Sequence, residues 1–426
     1  MSRPSTGAPA GRYYGYTIVA ASFVIQGTIV GAIFTYGVFF DALHTELGWS
    51  RAVISAGSSL TSLVMGMGAM VFGRLTDSTG PRRILGVAAV ALSIGYLLMS
   101  RMSAPWHLFI AYPLLVGIAF GTHDVVTLTT IARWFGRRRG RMSAIVKAGT
   151  GTGQVIGPAA AAVLIAAFGW RNAYLWIAAV TGPLVFIAGR FMRRSPDVMN
   201  AAHEDGAPDA ARSGQSGALQ SDGPAESVQA RNVASARELM RRPEFLRVCI
   251  AQAAVFFCSP IVIVHAVPYA IDLGIERSAA AGVLSVIGGV SIAGRLVMGN
   301  VIDRVGGRIA LLICYAIMFV AFVMLQFAGN AVLLYLFAIV YGFAHGGAFT
   351  SVSPLVAELF GTRVHGLLYG TIVFMGTLAG AIGPVFAGLL FDLAGTYRPA
   401  FLVMIALVLV AAASVASIRP HGRGIA

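Results

Sequence analysis

Gly73-Arg-Leu-Thr-Asp77-Ser-Thr-Gly80-Pro-Arg82-Arg83 returns later in the chain as Gly299-Asn-Val-Ile-Asp303-Arg-Val-Gly306-Gly-Arg308. The offset is the same for the glycines (299 − 73) and the aspartates (303 − 77), 226 residues, and Gly157-Pro158 recurs at Gly383-Pro384 with that offset as well. The chain therefore reads as one unit laid down twice, head to tail. Both copies are strongly apolar. Duplicated apolar halves imply a secondary transporter with its substrate site between the halves.

Of the 426 residues 57% are hydrophobic and only 11% charged, about half the charge fraction of an average soluble protein. Stretches of about 20 apolar residues are long enough to cross a hydrocarbon core of about 30 Å. Twelve are expected, at roughly 15–40, 52–72, 84–101, 106–133, 143–168, 172–192, 246–272, 279–301, 309–328, 331–358, 366–392 and 398–418. Inside lipid each backbone polar group needs an internal partner, so these spans are helices. The fold class is an all-α membrane protein with twelve transmembrane helices in two pseudo-symmetric six-helix halves, residues 1–194 and 241–426. Between them, 195–240 is rich in Ala, Ser, Gly, Asp and Glu and too poor in apolar residues to build a core, so it reads as a flexible linker. Residues 236–245 suit a short surface helix leading into the seventh span. Met1–Arg12 is short and polar and the first apolar stretch is of full span length, so no cleavable signal peptide is expected.

The net charge of +14 raises the question of nucleic acid, but its distribution answers it. Most Lys and Arg fall in the segments on one side of the membrane; Arg51, Arg101, Arg171, Arg277 and Arg398 fall on the other, and Lys147 and Arg295 fall inside spans. This is a positive-inside bias. It predicts a plasma (inner) membrane protein with both termini and the linker in the cytoplasm, its basic runs beside anionic lipid, and no nucleic-acid partner. Cys249, Cys258 and Cys314 all lie in apolar spans and read as small buried hydrophobes. No metal site, cofactor motif or catalytic constellation is apparent, so an enzyme is not expected.

Asp77 and Asp303 can accept hydrogen bonds from a helix N-terminus or a nearby arginine. With Arg82 and Arg308 they read as a conformational latch. Gly149, Gly151, Gly153 and Gly157 in the fifth span, and Gly376, Gly380 and Gly383 in the eleventh, permit close helix approach or a hinge. Arg295 is the most informative single residue. It lies eight residues before Asp303, about 12 Å inside the end of its span at 1.5 Å per residue. An arginine at that depth is costly and normally faces a cavity; its planar fork of donors suits a carboxylate. Lys147, the sole lysine, is about one turn into the fifth span and is expected to snorkel to the interface. His123 and His345 fall near mid-depth in equivalent helices. Asp124 is the one acid near the midplane, either a proton carrier or a partner of Arg133. His265 falls in the outer half of the seventh span as a second proton-coupling candidate.

The latch pattern, at the same loop in both halves, resembles the loop signature of the major facilitator superfamily. Tyr14-Gly15-Tyr16 at the start of the first span resembles the monocarboxylate transporters and the bacterial oxalate/formate antiporters. So do Trp134-Phe135 followed by Arg138-Arg139-Gly140, and Arg295 before Met298-Gly299. The resemblance implies that Arg295 binds a substrate carboxylate. It also exposes departures. Ser291 stands where the monocarboxylate family has a proton-coupling aspartate. An apolar residue near Phe34 stands in place of a lysine. Phe374-Met375 replaces the second cation of the oxalate antiporter. One fixed positive charge favours a monoanion over a dianion, and the missing acid leaves Asp124 or a histidine to carry any proton.

The sequence thus points to a secondary active transporter of a small organic anion, most simply a monocarboxylate, by proton symport or anion exchange. Arg295 anchors the carboxylate, His123 and His345 add polar contacts, and Phe34, Tyr341, Tyr369 and Phe374 shape the apolar part of the site. The glycine-proline motif keeps a proton-coupled drug or metabolite exporter as a rival. A non-transporting membrane sensor is a third reading, against which the short polar linker argues.

Overall fold

The computed structural model describes residues 13–196 and 236–419. Helices account for nearly all of it. We number the spans α1 to α12. α1 is Gly15–Phe34, continued past Thr35 by Tyr36–Leu47. α2 is Arg51–Thr79, α3 Pro81–Ser100 and α4 Pro105–Trp134. α5 and α6 form one 52-residue run, Arg139–Arg190, broken at Gly169, where φ is 74° and ψ 161°. Unbroken, such a run would be about 78 Å long at 1.5 Å per residue, more than twice a hydrocarbon core; the break makes it two crossings. α7 is Pro243–Asp272, α8 Arg277–Val305, α9 Gly307–Gln326, α10 Ala331–Phe360, α11 His365–Ala394 and α12 Arg398–Ala416. The expected twelve spans are present among the described residues. Within the linker, 236–240 is helical and leads into α7, as expected; residues 197–235 lie outside the described residues, as do 1–12.

Helix ends carry the marks of the repeat. Gly80 (φ 83°) and Gly306 (φ 89°) occupy the same position in the two copies and turn the chain sharply between α2 and α3 and between α8 and α9. A side chain is strained at such a φ, which glycine adopts freely. Ser50 caps α2 by accepting from the Val53 N–H at 3.3 Å, and Asn330 caps α10 by accepting from the Leu333 N–H at 3.0 Å, each satisfying one orphan donor of the first turn. Two boundaries differ from expectation. α2 and α8 run on through the latch motif, so Asp77 and Asp303 sit on the last helical turn rather than in a loop. Hydropathy marks where the bilayer ends, whereas a helix continues until the backbone breaks it, here at Gly80 and Gly306.

Aromatic side chains such as Tyr96, Tyr174 and Phe322 fill the interior, while many apolar side chains face outward: Leu393 is 85% exposed and Val332 76%. Apolar surface on that scale belongs in lipid. The halves meet along two equivalent helix pairs, α2 with α11 and α5 with α8. At both, backbones touch through glycine. A Cβ on Gly366 would lie 2.4 Å from the Gly73 carbonyl oxygen, and one on Gly140 2.6 Å from that of Gly299. These are again equivalent positions of the repeat.

Candidate functional site

The latch is reciprocal. Asp77, on α2, accepts from the backbone N–H of Gly366 (3.1 Å) and Leu367 (2.9 Å) in the first turn of α11. Asp303, on α8, accepts from Gly140 (2.6 Å) and Arg141 (3.0 Å) in the first turn of α5. Each aspartate therefore closes the N-terminus of the equivalent helix in the opposite half, where free N–H groups and the helix dipole favour an anion. The arginine beside Asp77 is Arg133 of α4, at 2.5 Å. Asp124 is thus not the partner of Arg133. Arg82 is not among the partners of Asp77, and Arg308 donates instead to the carbonyls of Val415 (3.2 Å) and Ala416 (2.5 Å) at the end of α12.

His365, which no sequence pattern singles out, completes this end. Its Nε2 donates to the Ser353 carbonyl at 3.0 Å and its Nδ1 accepts from the Thr129 hydroxyl of the other half at 3.1 Å. Asp77→Asn and Asp303→Asn should slow turnover while substrate still binds, because each weakens a helix-end contact that holds one conformation and neither residue lines the cavity. Equilibrium binding beside initial uptake rates separates the two effects; loss of binding in a folded variant would refute the latch assignment.

Above the latch lies a cavity of about 220 Å³ between the halves, lined from α1, α2, α4, α5, α7, α8, α10 and α11. Arg295 reaches it from α8. The residue is 2% exposed, and its Nε and Nη1 have no hydrogen-bond partner among the described residues. Gly151 of α5 makes room for it: a Cβ there would stand 2.7 Å from Nη1.

The same cavity holds a polar cluster that is almost fully satisfied. Lys147 does not snorkel. It is 4% exposed and its Nζ lies 2.8 Å from Asp124 Oδ1. Gln26 also donates to Asp124 Oδ1 (3.0 Å), Tyr369 donates to Oδ2 (2.9 Å), and the Thr150 hydroxyl donates to Gln26 Oε1 (2.6 Å). The physical reason is a near partner. A lysine pays less to pair with a carboxylate on the neighbouring helix than to extend along its own helix to water, and a buried charge persists only when so paired. With Lys147 and Asp124 cancelling, the cavity carries one uncompensated charge among the described residues, that of Arg295.

His123, Phe34 and His345 line the cavity. His345 Nε2 meets the Ser259 hydroxyl at 3.0 Å and its Nδ1 is without a partner among the described residues; His123 Nδ1 donates to the Phe120 carbonyl at 2.5 Å. Three expected residues sit elsewhere. Tyr369 is buried on Asp124 rather than along the wall. Tyr341 turns away to pack on Phe337 and Phe322. Phe374 packs where a Gly66 side chain would be, in the α2/α11 contact, and its neighbour Val373 lines the cavity instead. His265 has both ring nitrogens engaged, with the Tyr397 hydroxyl (3.1 Å) and the Pro384 carbonyl (3.0 Å), inside the C-terminal half. Phe120, Phe256 and Phe349, unremarkable in sequence among many apolar residues, line the cavity. Earlier in α4, Pro113 lies in a π-helical stretch, Ile110–Val116. Proline lacks the donor a regular turn uses, and such stretches often accompany functional sites.

The profile of the Major Facilitator Superfamily matches residues 22–313 and 263–424. The chain belongs to the Major Facilitator Superfamily. It is a multi-pass membrane transporter. Its sequence is similar to that of monocarboxylate transporter 12 of Mus musculus, 24% identical over 425 residues covering 95% of this chain and 85% of that one. Monocarboxylate transporter 13 of Rattus norvegicus is 26% identical over 413 residues, 96% and 89% of the two chains. Among solved structures, the superfamily's proton:xylose symporter XylE superposes with a TM-score of 0.68 at 15% identity over 94% of each chain. The human organic anion transporter MFSD10 does so with 0.65 at 16% identity, over 96% of this chain and all of that one, 100%. At these identities the structures show the shared fold.

Proposed function

We propose that this superfamily member carries small organic monoanions, monocarboxylates foremost, by alternating access between its two halves. Arg295 carries the reading. A buried guanidinium with two nitrogens unpartnered among the described residues, at a cavity whose other charges cancel, calls for an anion. Arginine matches a carboxylate with two parallel hydrogen bonds. Similarity to proteins named monocarboxylate transporters supports the same class. Uptake into proteoliposomes from a panel of labelled carboxylates tests it, and transport of neutral or cationic compounds with no competition from any carboxylate would favour an exporter instead.

Either anion exchange or proton symport suits this site. For symport, Asp124 is the proposed proton carrier. A proton on its carboxyl would loosen both Lys147 and Tyr369, and Tyr369 belongs to the same first turns of α11 whose N–H groups Asp77 holds. Asp124→Asn should then abolish any dependence of uptake on a pH gradient; undiminished proton-driven accumulation would remove Asp124 from the coupling step.

The charge bias of the loops supports a plasma (inner) membrane protein with both termini and 195–240 in the cytoplasm. On that orientation the closed latch faces the cytoplasm. Reporter fusions at both termini and within 195–240 should be active only on the cytoplasmic side; a linker accessible from outside intact cells would reverse the orientation.

A further inference from the structure

We infer that the transported anion is an aromatic monocarboxylate, one ring on a short carboxylate arm with no second charge. The inference rests on the reading of Arg295 as carboxylate anchor and concerns the rest of the cavity. Both halves supply aromatic walls: Phe120 from the N-terminal half, Phe256 and Phe349 from the C-terminal half, and Phe34 at the edge. The Phe256 and Phe349 rings lie 4.9 Å apart at 39°, and Phe120 stacks on His123 at 4.8 Å. Val30, Met65, Ile263 and Val373 add aliphatic surface to the wall. Ring-on-ring contacts contribute beyond buried area, so such walls favour an aromatic body over an aliphatic one.

Size agrees. The cavity, about 220 Å³, has room for more than a two-carbon acid. That suits one ring and a short side chain. Acetate would leave much of the space empty.

Charge narrows the class further. An amino acid would need a free carboxylate for its ammonium group, but the Asp124 oxygens are held by Lys147, Gln26 and Tyr369. A dicarboxylate would need a second free cation, and Lys147 is spent on Asp124. A polyol would need many free donors and acceptors where the cavity offers mainly hydrocarbon. A group left unpaired in such a site costs its full desolvation.

The test is equilibrium binding to the purified full-length protein in nanodiscs. The probes are acetate, phenylacetate, 3-phenylpropionate, 4-carboxyphenylacetate, phenylalanine and 2-phenylethanol. Phenylacetate or 3-phenylpropionate should bind at least tenfold more tightly than acetate, and at least tenfold more tightly than the dicarboxylate and phenylalanine. Phe256→Leu and Phe349→Leu, which keep an apolar wall, should each reduce the preference for phenylacetate over acetate about threefold to tenfold. Acetate and phenylacetate of equal affinity, both abolished by Arg295→Ala, would overturn the aromatic inference and leave the monocarboxylate reading standing. Equal binding of 4-carboxyphenylacetate or phenylalanine would overturn the charge restriction. Binding of 2-phenylethanol with no carboxylate bound would overturn both the inference and the reading beneath it.

Discussion

Lys147→Met should be among the most destabilising single changes in the membrane-embedded part of this protein, and Asp124→Asn added to it should restore most of the loss. Lys147 is buried against Asp124 at 2.8 Å, and removing one member of a buried pair leaves the other charge uncompensated, typically at a cost of about 3–5 kcal/mol. Neutralising both removes that penalty and leaves Gln26, Tyr369 and the introduced amide able to exchange neutral hydrogen bonds. Thermal unfolding in detergent, read by the fraction eluting as one folded species, measures both variants. If the single variant is as stable as the native protein, or the double no better than the single, the pair does not hold the site together.

That pair also shows where sequence reasoning stops. Lys147 and Asp124 both stand out in the chain, as the sole lysine and the sole midplane acid, yet nothing in the sequence matches one to the other. The residues lie 23 positions apart on different helices. Their meeting depends on how α4 and α5 are rotated about their axes, and near-uniformly apolar helices carry little amphipathic signal of rotation. The same gap explains Tyr341 and Phe374. Tyr341 lies one turn before His345, which puts it near that histidine's face, but its ring packs against Phe322. Phe374 is one residue, about 100° of helix, from the wall position held by Val373.

Features tied to the repeat are far more legible. Asp77 and Asp303 stand in equivalent positions, and so do the helix starts that donate to them, Gly366-Leu367 and Gly140-Arg141, so the reciprocal capping follows the two-fold relation already visible in the chain. The arginine partner is hidden because Arg133 has no basic equivalent at Leu359 in the second copy; symmetry cannot point to it. Arg295 is visible because its depth alone makes it costly, whichever way its helix turns.

Arg295→Lys should weaken carboxylate binding about tenfold to a hundredfold although the charge is kept. The guanidinium lines the cavity with two nitrogens that have no partner among the described residues, whereas an ammonium is a point charge that cannot form two parallel bonds. One charge-assisted hydrogen bond contributes roughly 1.5–3 kcal/mol, and every 1.4 kcal/mol is about tenfold in affinity. Arg295→Ala should do worse, because the Lys147–Asp124 pair is neutral overall and the substrate's charge would find no counterpart in a water-poor cavity. The charge balance can also be moved. In Arg295→Ala with Asp124→Asn, Lys147 is released from its partner and the cavity again carries one positive charge, so part of the anion binding lost in Arg295→Ala should return, with weaker geometric selectivity. Direct binding to folded, monodisperse protein reads all three. Native affinity in both single variants would make Arg295 a structural residue and remove the main support for a carboxylate. No recovery in the double variant would mean that the position of the guanidinium, and not the net charge of the site, decides whether an anion binds.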